Sequence, residues 1–112
     1  MAIVFKNLVP GSQLTTSIVS YYLASNSTTG VIQNATVCNT SGGSQTYTAY
    51  IVASGGTPSA SNEIVSAKAV GPGQTDTCPE LEGKVIEALG TLRLIASAGS
   101  ALTLMISGIE IQ

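Results

Sequence analysis

The chain contains no histidine and no tryptophan, and only one phenylalanine and four tyrosines. Without histidine it lacks the commonest general base near neutral pH and the commonest imidazole metal ligand. Ser-His-Asp or Cys-His catalysis within one chain is therefore impossible. No Ser-x-x-Lys spacing occurs either, and Ser66 and Lys68 share a face of an expected strand, which reads as structural. Two carboxylates can cleave a glycoside when they face each other across a cleft. Glu80 and Glu82 lie instead beside Pro79 in an expected loop, with no aromatic platform nearby. We expect no enzymatic activity, no metal and no cofactor.

Charge is also scarce. Charged residues make up 9% of the chain, against roughly a quarter in ordinary soluble domains. The cations Lys6, Lys68, Lys84 and Arg93 are scattered, so no cluster exists to release counterions from phosphates, and nucleic acid is not an expected partner. The acidic residues Asp76, Glu80, Glu82 and Glu87 gather in one segment, read as a solvated loop. Serine, threonine, glycine and asparagine take the place of charge. A hydroxyl and amide surface repels its neighbours weakly and favours close packing in an assembly; a soluble monomer with a neutral coat is the alternative.

Long apolar runs are missing too. None approaches the roughly 18 residues of a membrane span, and ALTLMISGIEI from Ala101 is broken by Ser107 and Gly108. The start, MAIVFKNLVPGS, has neither a basic region nor a long apolar core, so it does not read as a signal peptide. We expect no membrane partner and synthesis in a cytoplasm.

What is present is an apolar chain of 112 residues, 44% hydrophobic, with a mean hydropathy of +0.37. That suits a single packed domain over residues 1–112, in which residues 1–12 form either an N-terminal arm or an edge strand. Turn signals recur at Pro10-Gly11, Asn26 to Gly30, Ser41 to Gly43, Ser54 to Ser61, Gly71 to Gly73, Gly90 and Gly99-Ser100. Such spacing predicts an antiparallel β-sandwich of about 7–9 strands. The glycine-rich turns have no helix after them, so they do not read as phosphate cradles.

The expected strands run Ile3 to Leu8, Gln13 to Ala24, Val31 to Asn39, Gln45 to Ala53, Ile64 to Val70, Thr75 to Cys78, Thr91 to Ala98 and Leu102 to Ile111. Leu92, Leu94, Ala96 and Ala98 share one face, as do Tyr47, Ala49 and Ile51, and Val31, Gln33, Ala35 and Val37. In the last strand Leu102, Leu104 and Ile106 are in one phase and Ile109 and Ile111 in the other. A β-bulge at Ser107-Gly108 would return both sets to the core, with Gly108 taking the unusual backbone conformation. The alternative turns Ile109 and Ile111 outward to a partner. Leu81 to Leu89 reads as either a short helix or an extended corner.

Cys38 and Cys78 are not in a Cys-x-x-Cys arrangement. Buried free thiols, an intrachain disulfide and an interchain disulfide all remain open. Asn26, Asn34 and Asn39 each begin an Asn-x-Ser/Thr triplet, which carries little weight in so hydroxyl-rich a chain. Tyr21 and Tyr22 are adjacent and must point to opposite faces, one to the core and one to solvent or an interface. Phe5, Tyr21 and Tyr22 are the candidate assembly contacts. The first ten residues add a strand either to their own sheet or to a neighbour's.

ATVCNTSG from Ala35, YTAYIVASGGTPSASNEIVSAKAVGPGQT from Tyr47, CPEL from Cys78 and ASAGSALTLMISGIEI from Ala96 occur in that order. In this pattern, about two-thirds of the chain resembles small virion proteins of tailed bacteriophages. The resemblance implies an immunoglobulin-like or related (jelly-roll-like) sandwich, displayed on the phage particle in many copies. It further implies a head decoration or cement protein that contacts the major capsid protein, or a neck, tail or fibre-attachment component, in either case a homo-oligomer located in the virion. A module that binds host-surface carbohydrate is the alternative of another class.

Overall fold

The computed structural model describes residues 2–112. Nine strands follow one another: β1 (Ile3–Gln13), β2 (Val19–Leu23), β3 (Thr29–Asn39), β4 (Gln45–Val52), β5 (Glu63–Val70), β6 (Thr75–Asp76), β7 (Val85–Ile86), β8 (Thr91–Ala96) and β9 (Leu102–Ile111). They form two antiparallel sheets. One is ordered β1-β9-β3-β6, with β7 also on β3; the other is ordered β2-β8-β4-β5. The long strands lie in a body 45 Å long and 19 Å thick, the thickness of two stacked sheets.

The connectivity is a nested hairpin. β4 pairs with β5, β3 with β6 and β7, β2 with β8, and β1 with β9. Rolling that ribbon brings β9 against β3 and β8 against β4, which joins the nested pairs into two sheets. With β6 and β7 counted as one interrupted strand, this is a jelly roll. Of the two sandwich types expected, the immunoglobulin-like one is thereby replaced. Leu81 to Leu89 forms turns and the short β7 and contains no helix.

The core is built by alternation. Leu92, Leu94 and Ala96 of β8 face Leu102, Leu104 and Ile106 of β9 across the sandwich interior, with Tyr47 and Ala49 beside the first set and Ile32 and Val37 beside the second, all buried. Each large aliphatic side chain withdrawn from water in this way contributes about 1.5–3 kcal/mol.

The expected phase slip exists, but in the neighbours of the last strand. β9 alternates without interruption, so Gly108 is not at a bulge and its φ is not positive. The inserted residues are Leu8 in β1, opposite Ile106 and Ser107, and Gln33 in β3, opposite Ser107 and Gly108. Leu8 and Val9 are therefore buried in succession, and Ile32, not Val31, faces the core. Gly108 is required by close approach: a Cβ there would collide with the Val31 carbonyl oxygen. Pro10-Gly11 is likewise a bulge inside β1, opposite Met105, and not a turn between strands. Proline is tolerated there because β1 is an edge strand with no donor needed on its outer side.

Candidate assembly surface

Since β9 keeps its phase, Ile109 and Ile111 point away from the core. Register places Phe5 of β1, Ile109 of β9, Val31 of β3 and Val85 of β7 in one cross-strand row. Directly paired residues share a face, so this row lies on the outer face of the first sheet. Ile3 and Ile111 form the next row. Phe5 is 76% exposed, Ile3 55% and Val85 49%. Exposed apolar residues scattered singly need no explanation; a contiguous patch marks an interaction site. Two shallow depressions adjoin it, one of about 190 Å³ between Asn7, Asn34 and Met105 and one of about 330 Å³ beside Phe5, Lys6 and Gln33.

The other candidate contacts separate. Tyr22 is a core residue, since its ring lies over Gly30, where a Cβ would meet it at 2.7–3.0 Å. Tyr21 packs against the core from a half-buried position, and its hydroxyl donates to the Gln13 carbonyl at 3.4 Å. Neither adjoins Phe5 in the sheet pairing: both belong to β2 in the second sheet.

Two tyrosine–carboxylate ties hold the sheets together. The Tyr22 hydroxyl donates to Glu110 Oε2 at 2.6 Å, and Lys6 Nζ reaches Glu110 Oε1 at 3.2 Å. Glu110 must be held this way because the phase of β9 turns it inward. The Tyr22 donation, with Lys6 behind it, keeps its carboxyl below the usual range against the opposing effect of burial. Burial, then the bond to Glu110, pushes the Tyr22 phenol up. At the other side Tyr47 donates to Asp76 Oδ2 at 2.6 Å, and Lys68 bridges Asp76 at 3.2 Å and Glu80 at 3.0 Å. Tyr22 and Tyr47 belong to the second sheet, Glu110 and Asp76 to the first.

Asp76, Cys78 and Glu80 bring their ligand atoms within 4.8 Å of one another. Lys68 already supplies a positive charge to both carboxylates, and burial first of all pushes the Cys78 thiol up, away from the thiolate a metal requires. The donor set therefore suits an ion-paired seam. Cys38 is half-buried, Cys78 is fully buried, and both are free thiols.

Asn39 carries a role that the sequence reading did not assign. It is fully buried; its Nδ2 donates to the Gly43 and Val70 carbonyls, both at 2.8 Å, and its Oδ1 accepts from the Ser41 amide and hydroxyl. Its place before Thr40-Ser41 and a glycine pair was the available signal, since asparagine favours such turns.

No protein-family model and no curated protein matches the chain. Among solved structures, a chain in the structure of infectious bursal disease virus Gt strain matches with a TM-score of 0.51 at 11% identity, over 97% of this chain and 32% of that one. The Gx strain gives 0.47 at 12% identity, over 99% and 32%. This chain thus spans about a third of the length of those it matches. At such identity the similarity concerns the fold: an all-β sandwich of two antiparallel sheets, shared with a chain from a virus structure.

Proposed function

We propose that the chain is a structural subunit of a virus particle, and specifically a head decoration or cement protein of a tailed bacteriophage that docks on other virion proteins. The observation that carries this reading is the apolar row Phe5–Ile109–Val31–Val85 on the outer face of the first sheet, exposed at Phe5 and Val85 and half-buried between them. It occupies the face opposite the core, where packing within the chain does not need it. Jelly rolls recur in viral capsid domains, and the chain from the virus structure shares the sandwich; both are fold-level analogies and add weight only beside the surface. The ionisable clusters fit the reading as well, because they are spent in ties between sheets.

A stained gel of purified particles tests it. A decoration subunit runs as a major band that rivals the capsid protein. A minor band assigns the chain to the neck, tail or fibre base, and its absence removes it from the virion.

A further inference from the structure

The edges of the two sheets are unequally protected. β6 and β7 have two residues each, and β2 is bulged at Tyr21. β5 is bulged at Ala67, a residue with φ of 45°. β1 has 11 residues, and from Ile3 to Asn7 it is exposed and in unbroken register with β9. Its one charge there, Lys6, is paired with Glu110. Natural edges are usually blunted by shortness, bulges or free charge. This half-strand has no bulge, and Glu110 offsets the charge of its one lysine.

Its backbone directions follow from one pair. Ala2 and Gln112 exchange both main-chain hydrogen bonds, at 3.0 and 2.8 Å. Bonded and non-bonded pairs alternate along an antiparallel ladder. Val4 and Lys6 therefore turn their N–H and C=O groups to β9, and Ile3, Phe5 and Asn7 turn theirs away. Among the described residues β1 pairs with β9 alone, so those outward groups have no main-chain partner.

We propose that two copies of the chain pair through β1, antiparallel, about a two-fold axis at Phe5. In that register Phe5 exchanges both bonds with its counterpart, and Ile3 exchanges both with Asn7 of the second copy. Every outward N–H and C=O group from Ile3 to Asn7 is then satisfied. Lys6 stands opposite Val4 of the second copy, so no like charges meet. An axis at Lys6 would set the two ammonium groups against each other, and an axis at Val4 would carry Asn7 past the described start of the strand. The two Phe5 rings lie side by side on the outer face. The row Val85–Val31–Ile109–Phe5 then runs on into the same row of the second copy, which doubles the apolar surface offered to a third protein.

The pairing rests on the assembly reading for its use on a particle, and on geometry alone for its existence. An edge-to-edge contact buries less than the roughly 800 Å² per partner of a standard interface. The free dimer is accordingly weak, and it strengthens where a particle holds neighbours side by side.

Sedimentation of the purified chain from about 10 μM to about 1 mM, the range of weak affinities, is expected to show a reversible dimer. Amide exchange should show the Ile3, Phe5 and Asn7 N–H groups gaining protection as concentration rises. Phe5→Lys, which sets like charges at the axis, should weaken association at least about tenfold. Phe5→Pro, which removes one outward N–H and none that serves β9, should do the same with an unchanged circular dichroism spectrum. A monomer throughout the range, a dimer indifferent to both substitutions, or protection at another edge would each overturn the pairing. A chain that is monomeric yet abundant in particles overturns the pairing alone; a dimer missing from particles overturns the virion reading alone.

Discussion

Asn39 fills all of its side-chain hydrogen-bonding capacity against the turn after β3 and the end of β5. Asn39→Ala removes the donor to the buried Val70 carbonyl and the acceptor that holds Ser41, and should cost about 2–3 kcal/mol, read by urea denaturation. Glu110 offers a test by pH. Its folded carboxyl lies below its unfolded value, so it contributes stability above about pH 4.3 and loses it as pH falls through the folded value. Glu110→Gln should flatten this acid limb in a series of thermal midpoints. A residual slope should remain from Glu80, whose carboxyl Lys68 lowers in the same sense. Tyr22→Phe should destabilise at neutral pH by about 1–3 kcal/mol, because the inward carboxylate loses its donor. Little of this was legible beforehand. Tyr22 was recognisable as one of two opposed neighbours, but its carboxylate is 88 residues away, and only the closed sheet brings them together.

Among the elements, β8 was the most legible, since strict alternation survives wherever no bulge interrupts it. β3 was misread by one position because Gln33 is inserted, and a local pattern cannot show which strand of a pair carries the extra residue. The mismatch in β9 was a true sign of a bulge next door: Ile109 and Ile111 faced outward all along, and β1 and β3 adapted to them. Gly108→Ala should therefore be costly, about 2–3 kcal/mol or more, because the Val31 backbone cannot retreat without breaking the β3–β9 ladder. A thermal midpoint near that of the unchanged chain would contradict the close approach. The bulge in β5 gives the opposite sign. Ala67 takes a positive φ there with its amide bonded to Thr48 Oγ1 at 3.0 Å. Ala67→Gly should raise stability by up to about 1 kcal/mol by relieving that conformation.

For the whole molecule, turn spacing and alternation were enough to place the chain among antiparallel sandwiches. The choice of a jelly roll was not legible, because nested pairing is a property of contacts between distant segments. The candidate assembly surface was half visible in the same way. Phe5 stands out in any sequence of so few aromatics, but Ile109, Val31 and Val85 join it only through register across four strands. In the proposed function this row docks the subunit on a particle. Val85→Lys places a charge in the row, at a half-exposed position away from the β1 edge and the core. The decisive measurement is the amount of chain recovered in purified particles when wild-type or Val85→Lys protein is supplied at equal folded concentration. A major wild-type band and severalfold less of the variant are expected; equal recovery of the two, or no wild-type chain in the particles, would rule out docking through this row.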